Sequence, residues 1–236
     1  MKNKVTAIVL AAGQGKRMNS PVAKQFLILR NKPVVYYSLK AFELSSVDEI
    51  ILVTGEGQEE YCREHIVKAY GLGKVSKIIE GGKERYDSVY QALLHCATTE
   101  YVLIHDGARP FIDVNNIEEI IRKVEECKAC IFATPVKETI KVVDRDGIIT
   151  ATPDRATLWT AQTPQAFEYE AVRRAYELFY REKDTNERTV TDDAMVYETY
   201  LGKSVRVLPG NYHNLKLTTP EDLIIAEKIL EQKSVL

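Results

Sequence analysis

Short apolar runs and helical patterns alternate along almost the whole chain, and this regularity restricts its fold more than any single motif does. Strand-like runs recur at Val5–Leu10, Glu49–Val53, Val75–Ile79, Tyr101–His105, Cys130–Pro135 and Ser204–Leu208. Helical spacing fills most of the gaps: from Pro33 onward, from Gln58 to Tyr70 with Gly71 as the stop, from Arg85 to Ala97, and from Val114 to Cys127. A last helix is marked by Thr219 as N-cap, Pro220 at its first position and Asp222 three residues after the cap. The order βαβαβαβαβ predicts an α/β fold with a mostly parallel sheet and helices on both faces. At 236 residues the chain is read as a single domain, residues 1–236. In such sheets ligands bind beyond the carboxyl ends of the strands.

One segment, about residues 138–160, breaks the alternation. Short β-like pieces, Thr139–Val143 and Ile148–Ala151, flank Asp144-Arg-Asp-Gly147, and Asp-Gly is a strong hairpin signal. The segment holds too few large apolar residues for a core of its own. It reads as a protruding β-arm, either a simple surface hairpin or an arm with one sticky face that finds a second copy. A homodimer through the arm is the default expectation.

Thirty-two basic and 34 acidic residues nearly balance. That balance argues against nucleic acid, which needs a basic excess on one face, so local cation clusters must serve something small. The longest apolar run is too short for a membrane span, and with no h-region or cleavage site before the first strand a signal peptide is not expected. A cytoplasmic location is expected, and four cysteines fit a reducing compartment. Cys127 and Cys130 form a Cys-x-x-Cys at a helix end rather than a helix start, with no second pair to complete a zinc site, and read as packing residues.

The first strand runs into Ala11-Ala-Gly-Gln-Gly-Lys16-Arg17, and Lys24 follows after a short loop. Glycines let backbone N–H groups approach a phosphate, and the cations neutralise several negative charges at once, which suits a nucleoside triphosphate. Two common nucleotide loops are excluded. A Walker P-loop needs glycine where Leu10 stands and Ser or Thr where Arg17 stands, and a dinucleotide fingerprint needs a small residue where Met18 stands.

Four further clusters carry candidate chemistry. Gly81-Gly82-Lys-Glu-Arg85-Tyr-Asp-Ser88 ends the third strand and enters a helix, which suits either an anion or base edge, or plain helix capping. His105-Asp106-Gly-Ala-Arg109-Pro110 ends the fourth strand. Asp106 there could meet a divalent cation or a sugar hydroxyl, or pair with Arg109 to shape the turn, while His105 reads as structural. Arg155, with Gln162-Thr163-Pro-Gln165, forms a polar patch at the base of the arm, and Thr191 opens a helix. Lys216 is expected on a short strand, Asn214 to Thr218. No Ser-His-Asp set, zincin motif or carboxylate pair stands out. That fits a nucleophile that is already an anion, for which charge neutralisation and in-line alignment suffice.

Taken in order, Leu10-Ala-Ala-Gly-x-Gly-x-Arg-Met18, Lys24-Gln-Phe26, Gly81-Gly-x-x-Arg-x-x-Ser88, His105-Asp-Gly-Ala-Arg-Pro110, Thr139-Ile-Lys141, Arg155-x-x-Leu-Trp159, Gln162-Thr-Pro-Gln165, Thr191-Asp192 and Asn214-x-Lys-x-Thr218 resemble the 2-C-methyl-D-erythritol 4-phosphate cytidylyltransferase family. The resemblance implies a Rossmann-like sheet and transfer of CMP from CTP to a methylerythritol phosphate with Mg²⁺, in a homodimer whose arm helps complete the neighbour's pocket. It implies catalytic roles for Arg17, Lys24, Arg155 and Lys216. Ala11, Ala12, Gly13, Gly15, Lys16, Gly82, Arg85 and Ser88 would bind CTP. Asp106, Arg109, Thr139, Thr163 and Thr191 would hold the sugar phosphate, with Asp106 also the candidate metal ligand. Lys83 and Glu138 depart from the family pattern. A sister family, the ribitol-5-phosphate cytidylyltransferases, is the nearest alternative, and a non-catalytic nucleotide-sensing domain is the alternative of a different class.

Overall fold

The computed structural model describes residues 3–13, 15, 22–183 and 189–233. Lys16 and Arg17 of the first loop, and the polar segment 184–188, lie outside the described residues. Seven strands form the central sheet: β1 (Val5–Ala11), β2 (Glu49–Thr54), β3 (Val75–Glu80), β4 (Tyr101–Asp106), β5 (Ala129–Pro135), β6 (Trp159–Glu168) and β7 (Arg206–Pro209). Their order is β7-β5-β6-β4-β1-β2-β3. All neighbours run parallel except β6, which is antiparallel to both β4 and β5.

Strand β6 corrects the expected strand set, which skipped it, and the expected extent of the arm, because Trp159 and Thr160 already pair with Pro135 and Thr134 of β5. The reason is compositional. Gln162, Thr163 and Gln165 are buried in the middle of β6, so the strand lacks the apolar run that marks the others. The arm proper is a hairpin pairing Val142–Val143 with Ile149–Ala151. Asp144 closes its turn by accepting from the amides of Asp146 and Ile148 at 3.0 and 2.9 Å. The expected strand around Lys216 is absent, and that stretch is irregular chain leading to the last helix.

Six α-helices flank the sheet: α1 (Val34–Leu44), α2 (Arg85–His95), α3 (Val114–Cys127), α4 (Tyr169–Glu182), α5 (Asp193–Leu201) and α6 (Pro220–Lys233). The strands sort side chains by alternation. Ala7, Val9, Ile50, Leu52 and Leu103 pack under α1 and α3, whereas Ile8, Ile51, Val53, Val102 and Ile104 pack under α2, α4 and α5. Helices therefore do cover both faces. Each fully buried aliphatic contributes about 1.5–3 kcal/mol, so this two-faced core holds the strand ends rigidly. Helix α6 closes a third cluster over Leu29, Val34, Phe111 and Leu217, and Asp222 caps it by accepting from the amides of Thr218 and Thr219 at 2.7 and 2.9 Å. The 58–70 pattern folds as a short α-turn, Glu59–Tyr61, that widens to a π-helix over Cys62–Lys68, and Gly71 turns the chain at φ 61°. Among the described residues no helix is long and apolar enough to cross a membrane.

Candidate active site

Strands β1, β2, β3 and β4 are mutually parallel, so their carboxyl ends share one edge of the sheet. A cleft of about 1230 Å³ opens there. Its walls are the segments that leave those strands: Ala12, Gly13 and Gly15 after β1, Gly55 to Gln58 after β2, Gly81 to Arg85 after β3, and Asp106 to Ala108 after β4. Lys24 and Lys216 enter from outside the sheet.

Backbone shape dictates the glycines here. A Cβ on Gly81 would sit 2.6 Å from the Ala12 Cβ and 2.7 Å from the Ser88 Oγ, so the two walls meet only because that atom is missing. A Cβ on Gly107 would lie 3.0 Å from the Leu10 carbonyl, to which the Gly107 amide already donates at 2.9 Å. Gly15 has φ 64°, the left-handed region that costs other residues free energy. Ser88 accepts from the Gly82 amide at 3.1 Å, and Asp87 closes a capping box by accepting from the Glu84 amide at 2.9 Å. The Gly81–Ser88 segment thus caps α2, and it also lines the cleft.

Asp106 is the electrostatic centre. Its Oδ1 accepts from the Arg85 Nε at 3.1 Å, its Oδ2 lies 2.7 Å from the Lys216 Nζ, and Arg109 Nε stands 3.9 Å away. Burial alone would push its carboxyl up, but Arg85, Lys216 and Arg109 outweigh that and hold it far below the usual carboxylate range. Lys216 is thus paired rather than simply solvated. Lys24, on a 3₁₀ turn (Lys24–Phe26) anchored by buried Gln25, donates to the Leu217 carbonyl at 3.0 Å. Adjacent residues, Lys216 and Leu217, consequently tie both cations to one short stretch, and the Leu217 amide pins that stretch to the Ala108 carbonyl at 2.9 Å.

Thr163 and Arg109 stand behind the cleft wall. The Thr163 Oγ1 accepts from the Asp106 amide at 3.0 Å and contacts the His105 Nδ1 at 3.2 Å, while Arg109 Nη1 donates to the Asn214 carbonyl at 2.7 Å. Ala11 ends β1 with its carbonyl taken by the Gln25 side chain. His105 is fully buried and structural, as expected.

Three predicted residues are not brought to this cleft within one chain. Thr139 and Arg155 lie exposed on and below the arm, with Arg155 donating to the Lys137 carbonyl at 3.0 Å. Thr191 is exposed, and Asp192, not Thr191, caps α5 by accepting from the Met195 amide at 2.9 Å. Sequence reasoning missed Asp193, whose carboxylate grips Arg85 through Nη1 and Nη2 at 2.9 and 2.8 Å. Gln165, placed by the sequence only in the polar patch at the base of the arm, supports the start of α5, its Oε1 accepting from the Asp193 and Ala194 amides. A full-length polar side chain inside a strand or first helical turn was the available signal for both.

The fold and motifs have counterparts. A family model described as 2-C-methyl-D-erythritol 4-phosphate cytidylyltransferase matches residues 5–232. A protein of that name from Lachnoclostridium phytofermentans is 52% identical over 229 residues, 97% of this chain and 97% of the relative. Another so named, from Alkaliphilus oremlandii, is 45% identical over 233 residues, covering 98% and 97% of the two chains. The crystal structure of a 4-diphosphocytidyl-2C-methyl-D-erythritol synthase from Anaerococcus prevotii superposes with a TM-score of 0.84 at 32% identity, over 97% of this chain and 96% of that one.

Proposed function

Because the chain belongs to the 2-C-methyl-D-erythritol 4-phosphate cytidylyltransferase family, matched over residues 5–232, we propose that it transfers CMP from CTP to 2-C-methyl-D-erythritol 4-phosphate, releasing pyrophosphate and forming 4-diphosphocytidyl-2-C-methyl-D-erythritol. The observation that carries the reading is the cleft at the carboxyl ends of four parallel strands, into which Lys24 and Lys216 project beside a glycine-bordered wall. The sister reaction on ribitol 5-phosphate shares this chemistry, but the relatives reported above bear the methylerythritol name. Turnover with CTP against a panel of polyol phosphates, with ATP, GTP and UTP as controls, tests it. Exclusive use of ribitol phosphate would overturn the acceptor.

The acceptor's phosphate oxygen is already ionised, so no general base is required, and buried His105 is not asked to serve as one. In this reading Ala11, Ala12, Gly13, Gly15, Gly82, Arg85 and Ser88, together with Lys16, surround CTP. Lys24 and Arg17 meet charge developing at the α-phosphate, and Asp106, Arg109 and Thr163 organise the acceptor end beside Lys216. Among the described residues no three carboxylate, histidine or cysteine groups converge. Asp106 is the ligand that the resemblance offers to a divalent cation, and Arg85 and Lys216 already crowd its oxygens. That donor set fits Mg²⁺ only as one ligand of an ion held mainly by the triphosphate, which it would partly neutralise. Gly81→Ala is expected to weaken CTP binding about tenfold, because the new Cβ forces apart walls held by Ala12 and Ser88. Calorimetric titration with CTP reads it directly.

The chain is taken as one catalytic domain, in the cytoplasm, where four free cysteines persist. Its partner is a second copy. Ile140, Val142, Val143, Ile148 and Ile149 of the arm are all 40–63% exposed, an apolar face that a lone chain leaves in water. Thr139 and Arg155, carried on and below the arm, are the residues that this reading sends to the partner's cleft. Arg155→Ala should raise the acceptor KM about tenfold while CTP affinity persists. At acceptor concentrations well below KM, mixing it with Lys24→Ala chains should give up to about a quarter of wild-type turnover, above the tenth or so left to Arg155→Ala alone, since one site in each mixed dimer is intact. No recovery would place Arg155 in its own chain's site.

A further inference from the structure

Asp193 has no task in helix capping. Asp192 caps α5, and the Asp193 amide is already taken by Gln165, so its fully buried carboxylate is left to other partners. Burying a carboxylate costs several kcal/mol unless its partners are well placed. Here they are: Arg85 Nη1 and Nη2 approach as a fork at 2.9 and 2.8 Å, and the Tyr176 hydroxyl donates to Oδ1 at 2.6 Å. Tyr176 is itself fully buried on α4, and Gln165 holds the start of α5 from β6. The carboxylate is held from two elements, α2 and α4, and its backbone from β6. The effect reaches Arg85, whose end-on fork is turned to Asp193 while its Nε meets Asp106, at Oδ1. The second Asp106 oxygen is thereby left for Lys216 at 2.7 Å.

We propose that Asp193 is a positioning residue for the acceptor half of the site: it turns the Arg85 fork away from Asp106, so that Asp106 spends one oxygen on Arg85 and keeps the other to aim Lys216. A guanidinium released from Asp193 would take Asp106 in the bidentate geometry that Arg–carboxylate pairs favour. Lys216 would then lose its anchor. Coupling runs from Tyr176 through Asp193, Arg85 and Asp106 to Lys216, every link a contact of 3.1 Å or less. The proposal rests on the reading of this cleft as a cytidylyltransferase site.

Asp193→Asn keeps the shape but loses the charge, and its amide N–H₂ opposes one arm of the fork. The expected result is an acceptor KM raised about tenfold or more, with a clearly smaller rise in the CTP dissociation constant, since Arg85 also borders CTP in this reading. In an Arg85→Met background the same substitution should add no further rise, because the two act as a unit. Tyr176→Phe, which removes one hydrogen bond and no charge, should shift the acceptor KM in the same direction by about two- to threefold and serves if Asp193→Asn folds poorly. An unchanged acceptor KM, an equal loss of CTP and acceptor affinity, or additivity with Arg85→Met would overturn the proposal while wild-type turnover stands. Wild-type protein that transfers CMP to no polyol phosphate would overturn the functional reading and the proposal with it.

Discussion

Replacing Lys24 by alanine is expected to lower turnover at saturating CTP and acceptor by about 10²–10³-fold, equivalent to about 3–4 kcal/mol of transition-state stabilisation. The size follows from placement. Lys24 sits on a turn whose next two residues, Gln25 and Phe26, are buried, and its ammonium is already held against the Leu217 carbonyl at 3.0 Å. Little reorganisation is therefore required when charge develops nearby, which is the condition under which one donor is worth most. The side chain is only half-buried, so its truncation removes little core, and slow turnover should accompany a nearly unchanged melting temperature. Pyrophosphate release measured alongside thermal unfolding separates the two. Retention of wild-type kcat would remove Lys24 from the reaction centre. Arg17→Ala is expected to behave alike.

The sheet was legible because its strands are short apolar runs bounded by turn residues, and parallel central strands must be apolar on both faces. Val5–Ala11, Glu49–Thr54 and Tyr101–Asp106 are buried throughout or nearly so, and each was found within a residue. Strand β6 was not, because it trades apolar side chains for Gln162, Thr163 and Gln165. Those three serve the neighbourhood rather than the core: Gln162 bonds the Asn211 carbonyl, Thr163 the Asp106 amide, and Gln165 the start of α5. A strand that carries the hydrogen bonds supporting a site reads locally as a loop.

The site was legible to the extent that it is built from segments leaving strands. Gly81, Gly82 and Asp106 each follow or end an apolar run, and each lines the cleft. What could not be read was pairing across the fold. Arg85 and Asp193 are separated by 108 positions, and only the packing of α2 against α4 and α5 brings them together. The pairing of Lys216 was equally hidden, because its partner, Asp106, lies on a distant strand. Spacing along a chain reports faces of elements, whereas ion pairs depend on which elements meet.

Acid should destabilise the protein well before its carboxylates protonate, and His105 is the reason. Burial pushes its imidazole down from 6.5 to about 4, against the pull of Asp106 toward the charged form. The ring meets the Thr163 hydroxyl at 3.2 Å from Nδ1 and the Arg109 carbonyl at 3.2 Å from Nε2, and these contacts do not offset the burial. Between pH 6.5 and about 4 the unfolded chain therefore binds a proton at this position that the folded chain refuses. Stability should fall as pH drops through that window, by about 3 kcal/mol in all, at 1.36 kcal/mol per pH unit. Asp106, held far below its ordinary value, adds its own loss only under more acid conditions. Urea unfolding at pH 7.5, 6.0 and 5.0 checks this, with His105→Gln as the comparison: that variant should start less stable and show a flatter slope over the same range. A wild-type curve that stays level from pH 7.5 to 5.0 would mean that the buried ring accepts its proton in place.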